Sequence, residues 1–306
     1  MKLYLAPLEG ITSYIYRKAL YQCFDGFDKY FIPFIRAKQN LNFSGREKKD
    51  ISPENNSGMY AVPQILTRNA DDFLRTANQL KEYGYQEVNL NLGCPSKTVV
   101  TKGCGAGFLT RPDELEQFLD RIYSKTDMKI SVKTRLGMEN AEEFPRLMEI
   151  YNRFPMEELI IHPRVQKDFY KNTPNLEAFG EALAISKNSV CYNGDIFSAD
   201  DFKRIHAQFP NVECFMMGRG ILADPSLARE IRGGKAADQS DIRRFHDLLY
   251  HTYREEVSGD RNVLFKMKEI WFYLTKSFPD REKYLKLIRK CQSLPEYKLI
   301  VQQIFS

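Results

Sequence analysis

The chain has 306 residues, 43% hydrophobic and 28% charged, enough to bury the core of one or two domains. No apolar run approaches the roughly 18–20 residues of a membrane span, and the N-terminal MKLYLAPLEG is broken too early by Pro7 and Glu9 to act as a signal peptide. A cytoplasmic protein with no membrane partner is expected. The net charge of +5 is uneven: residues 235–306 hold 14 Lys and Arg against 10 Asp and Glu, so the last quarter carries most of the surplus. Six cysteines without a CxxC pair predict reduced thiols and no metal site.

Eight short β-rich runs follow one another: LYLAPL (3–8), YFIPFI (30–35), MYAVPQIL (59–66), EVNLNLG (87–93), KISVKTRLG (129–137), ELIIHPR (158–164), SVCYNGDI (189–196) and CFMMGRGI (214–221). Most are continuously apolar, as strands buried on both faces are. Helical patterns separate most of them. One opens at Asn69 and runs to Gly84, with Phe73, Ala77 and Leu80 at helical spacing. Another opens at Arg111-Pro112, with proline in the first turn and acids at the N-terminal dipole. Residues 141–154 and 198–209 read the same way, the latter with Ser198 as N-cap. Leu222 begins a helix that ends at Gly233-Gly234. Residues 36–58 read as a polar loop. Eight strand–helix units predict a (β/α)8 TIM barrel over residues 1–235. An open doubly wound sheet is the alternative, lowered by the lack of GxGxxG after the first strand. GGKAADQS (233–240) reads as a linker, and residues 241–306 as a C-terminal all-α helical domain.

Barrel chemistry gathers at the C-terminal ends of the strands. Those ends carry Pro7-Leu8-Glu9, Gln64, Asn89, Asn91 and Cys94, Lys133 and Arg135, His162 and Arg164, Asn193-Gly194-Asp195 and Gly218-Arg219-Gly220. A barrel bottom would not need so many polar groups, so they point to an enzyme. The glycines of NGD and GRG let backbone N–H groups approach an anion where such barrels bind phosphate, with Arg219 as an added cation. Lys133 at the end of a buried strand needs an anionic partner, which the N1/C2=O edge of a reduced flavin would supply. Gln64 needs a hydrogen-bond partner once buried, and a flavin ring edge offers one. His162, beside Arg164, reads as a ligand contact. Cys94, between Gly93 and Pro95, is held facing the barrel mouth. No base stands nearby to make it a nucleophile, so it reads as a positioned general acid. Cys104 lies in a glycine-rich stretch that reads as a mobile lid or a flexible connector.

Taken together, APLEGIT, VPQI, NLNLGCPSKTVVTKGCGAGFL, VKTRLG, IHPR, YNGDI and MMGRGILADPSL resemble the tRNA-dihydrouridine synthase family across residues 3 to about 228. The resemblance implies an FMN-carrying barrel, a C-terminal helical domain and NADPH as reductant. It implies that Cys94 protonates C5 of uracil while flavin N5 gives hydride to C6. It places Pro7, Leu8, Glu9, Gln64, Lys133 and His162 at the flavin, and Asn193, Gly194, Asp195, Gly218 and Arg219 at its phosphate. It puts Asn89, Arg135 and Arg164 on the substrate side. The target base must leave its stack to reach the flavin, and the basic C-terminal part suits the tRNA polyanion. Lys286 and Arg289, with Lys283 and Lys290, fall at helical spacing in REKYLKLIRK and form a candidate RNA face. A monomer is expected. The competing readings are a small-molecule flavin oxidoreductase of the dihydroorotate dehydrogenase type and a catalytically idle RNA-binding barrel.

Overall fold

The computed structural model describes residues 1–37 and 42–306. Eight strands, β1 (Lys2–Leu5), β2 (Lys29–Arg36), β3 (Ala61–Leu66), β4 (Glu87–Leu92), β5 (Lys129–Arg135), β6 (Leu159–His162), β7 (Val190–Tyr192) and β8 (Cys214–Met217), pair in parallel. They close in sequence order, with β1 against β8 from Lys2–Cys214 to Leu5–Met217. This is the expected (β/α)8 barrel. Around it run α1 (Tyr14–Cys23), α2 (Gly45–Ile51), α3 (Ala70–Glu82), α4 (Lys97–Val100), α5 (Pro112–Lys125), α6 (Phe144–Tyr151), α7 (Leu176–Ile185), α8 (Ala199–Gln208), α9 (Arg219–Ala223) and α10 (Leu227–Ile231).

Strand alternation divides the core in two. On β4, Val88, Leu90 and Leu92 pack in the large apolar layer between barrel and helices. Their neighbours Glu87, Asn89 and Asn91 turn inward and are equally buried. Tyr4, Phe31, Val62, Ile160, Cys191 and Met216 fill the apolar part of the interior. The closed end of the barrel is itself charged, contrary to expectation. Lys29 Nζ donates to both Glu87 oxygens (3.2 and 2.9 Å) and to Glu158 Oε2 (3.1 Å). Tyr4 donates to the other Glu158 oxygen. Polar residues in these strands therefore mark both ends of the barrel.

The helices start where side chains can take the free N–H groups of a first turn. Asn69 accepts from Asp72 N and Ser198 from Asp201 N, at 3.0 and 3.1 Å. Three expectations need correction. Residues 36–58 are not all loop: Ser44 and Glu47 form a reciprocal capping box that starts α2, although residues 38–41 lie outside the described part. The single helix expected from Leu222 to Gly233 is two, because Pro225 interrupts it and Asp224 accepts from Ser226 N instead. The glycine-rich residues after Cys94 form a buried 3-10 turn, Gly105–Thr110, and Ala106 N donates to Cys94 O (3.1 Å); they back the cysteine rather than form a lid.

After the barrel come α11 (Gln239–Glu256), α12 (Asp260–Leu274), α13 (Arg281–Lys290) and α14 (Leu294–Ile304), around fully buried Trp271. They dock on the barrel. Phe245 meets Tyr16 and Phe24 edge-on at 5.5 and 5.6 Å, and Lys266 Nζ donates to Gly10 O (2.7 Å). Among the described residues, no helix is long and apolar enough to cross a membrane.

Candidate active site

A cleft of about 390 Å³ opens at the C-terminal ends of the strands. Parallel strands carry their last inward residues to one level, so residues far apart in sequence meet there. Gln64, Cys94, Lys133, Arg135 and His162 line it on one side, and Asn193, Gly194, Asp195, Gly218 and Arg219 on the other; Pro7, Leu8 and Glu9 form its edge. Asn89 does not reach it. That side chain is fully buried one layer below, accepting from Gln64 Nε2 (2.7 Å) and donating to Ser131 Oγ (3.0 Å). Asn91, one alternation further along β4, takes its place in the wall.

Asn91 also shapes the cysteine turn. Its Oδ1 accepts from Gly93 N (3.1 Å) and Cys94 N (2.9 Å). From the other side Gly105 presses in with φ +55°, and a Cβ there would lie 2.8 Å from Cys94 O. Gly93 itself has ordinary room: its added Cβ would come no nearer than 3.4 Å to any neighbour. Burial pushes the Cys94 thiol pKa up; the Ser96 backbone N–H opposes this, Glu9 adds to it, and Arg36 and Arg135 oppose it more weakly. The thiol is therefore protonated at neutral pH, as a proton donor must be.

Lys133 makes no ion pair with any described residue. Burial lowers its pKa to about 8, with the Arg135 charge acting in the same direction. His162 is pushed well below its ordinary value, by burial first and then by the cations Arg135, Lys133, Arg164 and Arg219. Arginine can only donate, so the 3.0 Å contact makes His162 Nε2 the acceptor from Arg164 and leaves the ring proton on Nδ1.

Two arginines expected on the substrate side, Arg135 and Arg164, spend their donors on the protein. Arg135 donates to the carbonyls of Gly93 (2.9 Å), Val165 (2.9 Å) and Phe169 (2.7 Å), although its side chain borders the cleft. Arg164 lies outside the wall, donating to Lys171 O, Asn172 O and Asp195. Together they clamp the loop after β6, where Phe169 sits at φ +50°. That loop places Tyr170 over the Arg219 guanidinium at 4.5 Å. Asp195 is bound to both Arg164 and Arg219, so its carboxylate positions cations. Gly194 and Gly220 are required by packing: added Cβ atoms would lie 2.1 Å from Tyr192 Oη and from Ile196 O. Arg219 and Lys276, the latter just beyond α12, both lie 5.4 Å from the Phe197 ring. This side of the cleft suits an anion.

Phe34, Tyr170, Tyr273 and Lys276 were not singled out from the sequence. Phe34 reaches the cleft beside a register shift between Ile32 and Ile35, where Pro33 cannot donate to the sheet. Pro33 was the available signal. Lys286 and Arg289 are exposed on α13, and neither lines the cleft.

A closed parallel barrel with a polar, glycine-bordered cleft at its strand ends has the layout of a barrel enzyme. A family model for dihydrouridine synthase (Dus) matches residues 4–305, so the chain belongs to the dihydrouridine synthase family, whose members are oxidoreductases. The chain is 26% identical over 316 aligned positions to a tRNA-dihydrouridine(16) synthase of Cupriavidus necator, covering 98% of this chain and 96% of that protein. It is 27% identical over 235 positions to tRNA-dihydrouridine synthase B of Pasteurella multocida, covering 74% and 68%. Among solved structures, morphinone reductase shares the fold with TM-score 0.55 at 9% identity, over 80% of this chain and 90% of that one. Histamine dehydrogenase from Rhizobium sp. 4-9 does so with TM-score 0.58 at 12% identity, over 88% of this chain and about half (49%) of that one.

Proposed function

We propose that the protein reduces the C5–C6 double bond of uridines in tRNA to dihydrouridine, with FMN bound in the cleft and NADPH as reductant. The carrying observation is that a half-buried thiol, its pKa raised, and an ammonium without a carboxylate partner line the same cleft. FMN bound in the cleft, reduced by NADPH, would supply the hydride for C6 of the uracil. Cys94 supplies the proton for C5 from its turn. Lys133 offers its charge to the electron-rich edge of the isoalloxazine, and the spare amide hydrogen of Gln64 offers a donor to the same ring. Pro7, Leu8 and Glu9 border it, with the neutral His162 close by. Arg219, held by Asp195, takes the FMN phosphate, with Lys276 as a second cation; Asn193, Gly194 and Gly218 give the loops their close approach. Asn91 and the stem of Arg135 face the base.

Residues 1–235 form the catalytic domain in this reading, and residues 241–306 the tRNA-binding domain. Lys286 and Arg289 on α13 serve the RNA backbone. The relatives' names support tRNA as substrate, and the family match favours it over a small molecule. The reading places the protein in the cytoplasm, as a monomer.

The test is direct. The purified protein should be yellow and release FMN on denaturation, and Cys94→Ala should keep the flavin but lose at least about 100-fold in uridine reduction. A protein that cannot be loaded with FMN, or full activity in Cys94→Ala, would overturn the assignment.

A further inference from the structure

A continuous hydrogen-bonded chain runs from the charged closed end of the barrel to the Cys94 turn. Ser131 Oγ donates to Glu87 Oε1 (3.0 Å) and accepts from Asn89 Nδ2 (3.0 Å). Asn89 Oδ1 accepts from Gln64 Nε2 (2.7 Å), and Gln64 Oε1 from Asn91 Nδ2 (2.6 Å). Asn91 Oδ1 then takes the N–H groups of Gly93 and Cys94.

The direction of this chain is set at both ends. Backbone N–H groups can only donate, so Asn91 must present its oxygen upward. The Glu87 carboxylate, already receiving from Lys29 and Tyr60, can only accept from Ser131. Each amide between them has one permitted orientation. Reversing any one would set donor against donor or acceptor against acceptor among side chains that are almost wholly buried. Gln64 and Asn91 are thereby fixed to keep their second amide hydrogen free, so both wall positions act as donors.

We propose that Ser131, which touches neither the cleft nor Cys94, is a positioning residue: it relays the acceptor polarity of Glu87 through Asn89 and Gln64 to Asn91, and so fixes the Cys94 turn and the donor character of that wall. Its bearing on catalysis rests on Cys94 as the proton donor, but the relay itself can be read without turnover.

The experiment measures alkylation of Cys94 by iodoacetamide against pH in the flavin-loaded protein, followed at the Cys94 peptide by mass spectrometry. Removing the hydroxyl in Ser131→Ala leaves Asn89 Nδ2 without its acceptor, so the chain loses its lower anchor and the turn, held by its backbone contacts to Asn91 alone, loosens. The thiol becomes more hydrated, so the alkylation midpoint should fall by about 0.5–1 pH unit and labelling at neutral pH should quicken roughly three- to tenfold. Ser131→Thr keeps the hydroxyl and should restore the wild-type midpoint. A folded Ser131→Ala protein with an unchanged midpoint overturns the relay. If that variant does not fold, the wild-type protein decides: the side-chain amide protons of Gln64 and Asn91, assigned by ¹⁵N NMR, should exchange slowly, and fast exchange overturns the relay. Shifted alkylation with full activity in Cys94→Ala would instead sink the proton-donor role and leave the relay standing.

Discussion

Lys133 ties the flavin assignment to a pH dependence with a definite sign. Without ligand, its pKa is about 8 because burial and Arg135 disfavour the charge. An anionic ring edge beside it favours the charge and raises that value. Above pH 8, binding must therefore take up a proton, and affinity falls as pH rises. The loss should be about twofold at pH 8 and roughly tenfold at pH 9, relative to pH 7 and below. Anaerobic titration of the apoprotein with reduced FMN across pH 6.5–9.5 reads this directly. Lys133→Met should bind more weakly at neutral pH and lose the slope. The same group acts on stability with the opposite sense. The unfolded lysine, at 10.5, holds its proton to higher pH than the folded one. The Lys133 contribution therefore stabilises the apoprotein progressively as pH rises from about 8 to 10.5. Comparison of urea midpoints between wild type and Lys133→Met isolates that contribution from the other groups titrating there. A flat FMN affinity in the wild type, or a slope that survives in Lys133→Met, would refute the pairing of this ammonium with the flavin.

Gly105→Ala should destabilise the fold by about 1–3 kcal/mol, because φ +55° and the contact with Cys94 O both oppose a side chain; chemical denaturation measures the first effect and Cys94 alkylation the displaced turn. The double charge reversal Lys286→Glu, Arg289→Glu should weaken tRNA binding at least about tenfold at low salt and reduce its salt dependence, with flavin content unchanged. Unchanged affinity in filter binding would remove α13 from the RNA face.

The barrel was legible because parallel strands covered on both faces must be apolar outward, whatever their inward residues do. The caps at Asn69 and Ser198 were legible because a first turn needs acceptors beside it. Strand ends could be read for the same reason that they work as a site: alternation fixes which residues point inward. What failed was depth. Asn89 and Asn91 have identical parity, and only the height of β4 within the barrel puts one in the wall and the other beneath it. Arg135 and Arg164 have the composition of substrate ligands, but their donors are taken by loop carbonyls that no local pattern identifies. Tyr273 reaches the cleft from more than 50 residues beyond β8, and Lys276 reaches the Phe197 ring on its wall, which only the docking of the helices could reveal.

That last placement has a consequence for any attempt to divide the molecule. Cutting before α11 would take Tyr273 out of the cleft and bare the ring edges of Tyr16 and Phe24. A shortened enzyme would have a leaking vessel and a sticky flank, so loss of turnover in it says nothing about RNA capture. The two halves are one instrument, and their division of labour has to be read from point changes in the intact chain.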